Sequence, residues 1–132
     1  MDIAYSDSIQ PKAQDVSRVF QASGIKRPYE DLDRLKRMVE HADIIITAWD
    51  GDTMIGIARA LTDYSYCCYL SDLAVDRQYQ RSGIGEELVR RVRERIGEEC
   101  SLVLLSAPNA TEYYPKIGFA KSERAFVIVR TR

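Results

Sequence analysis

The chain has 132 residues, 45% of them hydrophobic and 30% charged, with a formal net charge of −1. That length suits one domain over residues 1–132 and is too short for a TIM barrel or a full dinucleotide-binding dehydrogenase. Near-neutrality speaks against holding nucleic acid on a broadly basic face.

Three cysteines, Cys67, Cys68 and Cys100, make an odd count with two adjacent, so no disulfide framework is expected. With His41 the only histidine, a Cys/His metal site is not expected either. The start, Met1-Asp2-Ile3-Ala4-Tyr5-Ser6, lacks the basic-then-apolar order of a signal peptide. No apolar run approaches the roughly 20 residues of a membrane span. The cytoplasm is the expected compartment.

Ile3–Tyr5 is a short first strand in prospect. Pro11 suits the first turn of a helix, Ala13, Val16, Val19 and Phe20 follow at helical spacing, and Gly24 can end it. A second helix follows Pro28, with Leu32, Leu35, Met38 and Val39 as its apolar stripe. His41 ends it, where a cation near a helix C-terminus is the ordinary reading. Ile44–Trp49 is a β-branched, apolar strand, Asp50-Gly51-Asp52 a hairpin turn, and Thr53–Leu61 the returning strand. After a polar break, Tyr66–Val75 is a further strand.

A polar loop from Asp76 to Gly85 leads into an amphipathic helix with Ile84, Leu88, Val89, Val92 and Ile96 on one face and Gly97 at its end. Its arginines alternate with glutamates, as on a solvated face. Leu102–Leu105 is a buried strand. Asn109 and Glu112 have the spacing of a capping box for a short helix that Pro115 limits. Phe119 onward and Phe126–Val129 complete the pattern as two final strands. The order β-α-α-β-β-β-α-β-α-β-β is that of a mixed α/β sheet with helices on its faces.

The chemistry concentrates in Gln80-Arg81-Ser82-Gly83-Ile84-Gly85. Glycines between a strand and a helix let the backbone approach a ligand, and the free N–H groups of the first helical turn favour phosphate. A nucleotide-hydrolysing loop would need Gly-Lys-Ser/Thr, but Glu86 and Glu87 follow Gly85. A dinucleotide fingerprint would need a third glycine and a βαβ context.

With the strand Tyr69-Leu70-Ser71-Asp72-Leu73-Ala74-Val75 before it and Ala110-x-x-Tyr113-Tyr114-Pro115-Lys116-Ile117-Gly118-Phe119 after it, Gln80-x-x-Gly83-x-Gly85 resembles the GNAT superfamily of acyl-CoA-dependent N-acyltransferases. The resemblance implies a mostly antiparallel central sheet whose fourth and fifth strands splay around acetyl-CoA, with helices on both faces. It implies that backbone groups of Arg81, Ser82, Gly83, Ile84 and Gly85 hold the pyrophosphate, with Gln80 at the loop's mouth. The main chain around Leu73, Ala74 and Val75, where the family's strand bulges, would pair with the pantetheine arm and polarise the thioester. An acetyl group would pass to a primary amine by direct attack through a tetrahedral intermediate, and Tyr114 matches the family's general acid; Tyr113 reads as packing.

Asp72 is the candidate general base beside Asp63, Tyr64, Glu123 and a water chain. Asn109 stands two residues from where the family carries its CoA-contacting asparagine, and Ala107 occupies that place. Cys67 and Cys68 read as inert strand residues rather than acyl carriers, and Arg77 and Arg81 as possible partners of a CoA phosphate. The acceptor, small molecule or peptide, is left open. A non-catalytic acyl-CoA sensor is the alternative, and the chain is expected to be a monomer or a homodimer, the final strands being the segment a homodimer would exchange.

Overall fold

The computed structural model describes residues 2–132. Five strands form one sheet in sequence order: β1 (Ile3–Ser6), β2 (Ile44–Asp50), β3 (Thr53–Thr62), β4 (Cys67–Val75) and β5 (Ser101–Val103). The first four pair antiparallel and β5 joins β4 in parallel. The helices are α1 (Ala13–Ser23), α2 (Leu32–Glu40), α3 (Ile84–Ile96) and the single turn α4 (Tyr113–Lys116).

The two faces of the sheet are covered by different helices because the strands alternate their side chains. Ile44, Ile46 and Ala48 of β2 point to α3 and pack with its Leu88, Val89 and Val92. Ile45 and Trp49 point the other way, where Val16, Val19 and Phe20 of α1 meet Leu35 and Val39 of α2. Each such large buried side chain contributes about 1.5–3 kcal/mol relative to exposure. On the solvent side of α3, Arg90 and Arg91 pair with Glu87, and Arg90 also with Glu94, so its charges form the solvated face expected.

Two bulges shift the alternation. Met54 opposes Trp49 and Gly56 opposes Ala48, so Ile55 is extra and falls, with Gly56, on the α3 side. Asp72 opposes Arg59 and Leu70 opposes Ala60, so Ser71 is extra in β4. Beyond it, Leu73 and Val75 face α3, whereas Asp72 and Ala74 face the α1/α2 side.

Several expected elements differ. Helix α1 starts after Lys12, with Pro11 just ahead of the cap, and α2 starts after Asp31, whose carboxylate accepts the Arg34 N–H. The bulge lies at Ser71 rather than at Leu73 and Val75, and the ladder of β5 stops at Val103. Asn109 caps nothing: it is exposed in the 3-10 turn Pro108–Ala110, where Pro108 fixes the backbone ahead of it. The two final strands do not form. A strand requires a partner ladder, and residues 119–132 have none within the chain.

Candidate active site

β4 and β5 pair only over Cys67–Tyr69 and Ser101–Val103 and then part. From Leu70 to Val75, β4 has no strand on that side. N–H and C=O directions alternate along a strand. Because the Asp76 N–H bonds to Ile55 O, Leu73 and Val75 turn their main-chain groups away from β3, into the opening. Gln80 Nε2 donates to Val75 O at 2.9 Å and so ties the following loop to the end of β4.

In that loop Arg81 (φ 69°) and Gly83 (φ 82°) are both left-handed, a backbone alternation that turns successive N–H groups to one side. Among the described residues no backbone carbonyl accepts the N–H groups of residues 81–86; the first one taken is that of Glu87, by Gly83 O. A Cβ built on Gly83 meets nothing within 4 Å, so the loop faces open space. Ser82 Oγ donates back to Tyr79 O, which commits its hydroxyl proton and leaves the Ser82 N–H on the open side. Ile84 is buried in the α3 core. This donor set fits a pyrophosphate, although the same first turn also carries Glu86 and Glu87, the latter turned to Arg90 and Arg91. Arg77 lies elsewhere, its guanidinium packed over Gly24 at the end of α1.

Tyr114 stands on α4, edge-on to Phe119 (ring centroids 5.5 Å) and to Tyr113 (5.3 Å). Burial pushes its phenol above the ordinary value, and the positive charge of Arg27 pulls the other way. Tyr113 does more than the packing expected of it. Its hydroxyl lies where a side chain on Gly85 would be, 2.7 Å from an ideal Cβ, and so seats α4 on the first turn of α3.

Asp72 is 1% exposed and both its oxygens are taken. Arg27 Nε donates to Oδ1 and Arg59 Nε to Oδ2, each at 2.5 Å. The same two guanidiniums clamp the bulge residue, Arg27 Nη2 to Ser71 O at 2.7 Å and Arg59 Nη2 to Ser71 Oγ at 2.9 Å. An amine cannot reach this carboxylate, so the geometry gives Asp72 the place of an anchor, against the expectation of a general base. Asp63 is similarly occupied: its Oδ1 accepts the N–H groups of Ser65, Tyr66 and Cys67, which hold its carboxyl at about 2. The Tyr64 hydroxyl donates to Asp43 O, and Glu123 is exposed in the tail. Cys67, Cys68 and Cys100 are all free thiols, and burial raises that of Cys68.

The family resemblance implies that the Arg59–Ser65 region lines the acceptor pocket, but the contacts of Arg27 and Arg59 with Asp72 are not legible in the sequence. Arg27 sits in the α1–α2 connection, 45 positions from Asp72, and no motif or periodicity links them.

A profile of the acetyltransferase (GNAT) domain family matches residues 13–128. The chain is 29% identical over 105 residues to the "Uncharacterized N-acetyltransferase ycf52" of Porphyra purpurea, which covers 74% of this chain and 58% of that protein. It spans little more than half the length of such curated relatives. In fold it is similar to a probable acetyltransferase of Staphylococcus aureus, with a TM-score of 0.85 at 19% identity over 98% of this chain and 99% of that one. It is also similar to the PaiA N-acetyltransferase of Thermoplasma acidophilum, solved with coenzyme A, with a TM-score of 0.74 at 16% identity over 95% and 94% of the two chains. No helix among the described residues is long and apolar enough to cross a membrane. The parted strands, the open N–H loop and the match along nearly all of the sequence agree, and the chain belongs to the GNAT acetyltransferase family.

Proposed function

We propose that the chain transfers an acetyl group from acetyl-CoA to a primary amine by direct attack through a tetrahedral intermediate. The observation that carries this reading is the opening between β4 and β5, which the free N–H groups of residues 81–86 flank at its end. Acetyl-CoA would supply the activated acyl group. The backbone of Arg81, Ser82, Gly83, Ile84 and Gly85 would hold its pyrophosphate at the positive end of α3. Main-chain groups of Leu73 and Val75, with Ala74 between them, would line the arm, and an N–H turned into the opening would meet the developing oxyanion.

Gln80 braces this edge and Tyr114 gives the leaving thiolate its proton. A phenol whose pKa is raised by burial stays protonated at neutral pH, which suits a donor. With Asp72 and Asp63 both engaged by other groups, water serves as the base. Asn109, exposed in the turn ahead of α4, would contact CoA.

The test is titration calorimetry with acetyl-CoA, followed by thiol release with small amines and peptide N-termini. Binding with turnover on one acceptor class supports the proposal. Absence of binding overturns it, and binding without turnover on any amine makes the chain a sensor instead. A Tyr114→Phe variant that binds normally but loses about 10²–10⁴-fold in rate assigns the acid.

A further inference from the structure

We infer that the acceptor is an amine with its own carboxylate and an apolar side chain, as in a free apolar amino acid, and that Arg27 holds the carboxylate. The inference rests on the acetyl-transfer reading and names its acceptor.

An uncompensated charge carries the first half. Arg27 and Arg59 share one carboxylate, that of Asp72, and among the described residues neither pairs with another. The cluster therefore keeps one net positive charge. Its two cations are not equally available. Arg59 is almost entirely buried and is bound to Asp72, Ser71 Oγ and Met38 O. Arg27 is the more exposed, and only three of its five N–H groups are taken, by Asp72 Oδ1, Ser71 O and Lys26 O. The remaining two are free for an anion, and the planar fork of a guanidinium matches a carboxylate. Arg27 also lies beside the opening. It binds the carbonyl of Ser71, two residues before Leu73, and its charge lowers the pKa of the Tyr114 phenol, which burial raises.

An apolar floor carries the second half. Arg59 reaches Met38 O near the end of α2, and past that point the helices leave the sheet uncovered. Leu61, two residues on from Arg59, points to the same side, and Tyr69 and Val103 follow opposite it on the next two strands. The three are 40, 40 and 50% exposed. The floor begins about 7 Å along β3 from Arg59, within the span of one amino acid. Tyr69 is also the last residue at which β4 is joined to β5, so the floor runs to the root of the opening.

A polyamine would meet a like charge here, and a peptide N-terminus brings an amide where the carboxylate belongs. A free apolar amino acid supplies an anion for Arg27 and a side chain for the floor, with its amine between them. The acetyl carbon would exchange its bond to the CoA sulfur for one to that nitrogen. The nitrogen gives its proton to water and the thiolate takes one from Tyr114, leaving an N-acetylated amino acid and CoA.

The test is thiol release by the full chain at saturating acetyl-CoA with L-leucine, leucinamide, isoamylamine, glycine and spermidine. Leucine should show a KM about 10–100-fold below those of leucinamide and isoamylamine, which lack the carboxylate. Arg27→Gln should close that gap, whereas a loss of structure alone would weaken all the amines alike. Leu61→Ser should close the gap between leucine and glycine instead. The panel on the parent chain decides the matter even where a variant does not fold. Acetylation of isoamylamine, leucinamide or spermidine in preference to leucine overturns the inference and leaves acetyl transfer standing. Acetylation of no amine overturns both.

Discussion

Substituting Asp72 by Asn separates an anchor from a base. The carboxylate accepts from two guanidiniums, and those side chains are only 27% (Arg27) and 10% (Arg59) exposed. Removing it leaves two cations facing each other, with Arg59 almost entirely out of water. Breaking a buried ion pair from one side costs about 3–5 kcal/mol. That is a large part of the roughly 5–15 kcal/mol that holds a domain together. For a chain of this length the unfolding entropy converts the loss to a fall in melting temperature of about 10–18 °C.

The assay is thermal unfolding followed by circular dichroism, paired with kcat measured over pH below the melting range. An anchor gives the large thermal loss, while the ascending limb of kcat against pH keeps its position. Arg27→Ala should cost less than Arg59→Ala, because Arg27 is the more exposed of the two. The reasoning is refuted if Asp72→Asn melts within a degree or two of the parent while kcat collapses and its ascending limb disappears, which is how loss of a general base would look.

Gly85→Ala should weaken acetyl-CoA binding in calorimetry, since the new methyl would displace the Tyr113 hydroxyl from the mouth of the loop, whereas Gly51→Ala, strained by its φ of 60° but with nothing within 4 Å, should cost stability alone. Burial raises the Tyr114 phenol above its ordinary value, so a general acid there stays protonated through the neutral range, and the rate should show no descending limb from this group at neutral pH. Asp63 is depressed from 3.8 to about 2. Its stabilisation is fully present above pH 3.8 and lost as pH falls through 2, so Asp63→Asn should melt lower at neutral pH, with the gap closing between pH 4 and 2 and the rate constants unaffected.

Much of the architecture is written in local pattern. Ile44–Trp49 is an unbroken β-branched, apolar run, the apolar stripe of Ile84–Ile96 is strongly periodic, and the Gln80, Gly83 and Gly85 spacing marks the loop because close backbone approach demands small residues there. What local pattern cannot carry is phase. A bulge adds a residue without changing composition, so neither Ile55 nor Ser71 announces itself, and the face on which Asp72 lies depends entirely on the second. Arg27 is invisible for a different reason: it acts across 45 positions, through a loop that has no period. The final strands are expected because their side chains are well suited to a sheet. Composition reports the suitability of a segment for pairing, and the identity of its partner lies outside it.

Ser71 connects these points. β4 leaves β5 after Tyr69, two positions before the extra residue. A bulge bends its strand and sharpens the local twist, which is sufficient cause for the parting. The same insertion turns Asp72 toward α1 and α2, where Arg27 and Arg59 close on it, and both arginines grip Ser71 as well. The ion cluster therefore braces the bend that opens the cleft, and it binds the α1–α2 connection to one wall. A mostly buried group of two cations and one anion is a poor source of net stability, since desolvation offsets most of its attraction. Its position explains its presence better: without it, β4 would lose the restraint that keeps the opening at this point in the sheet.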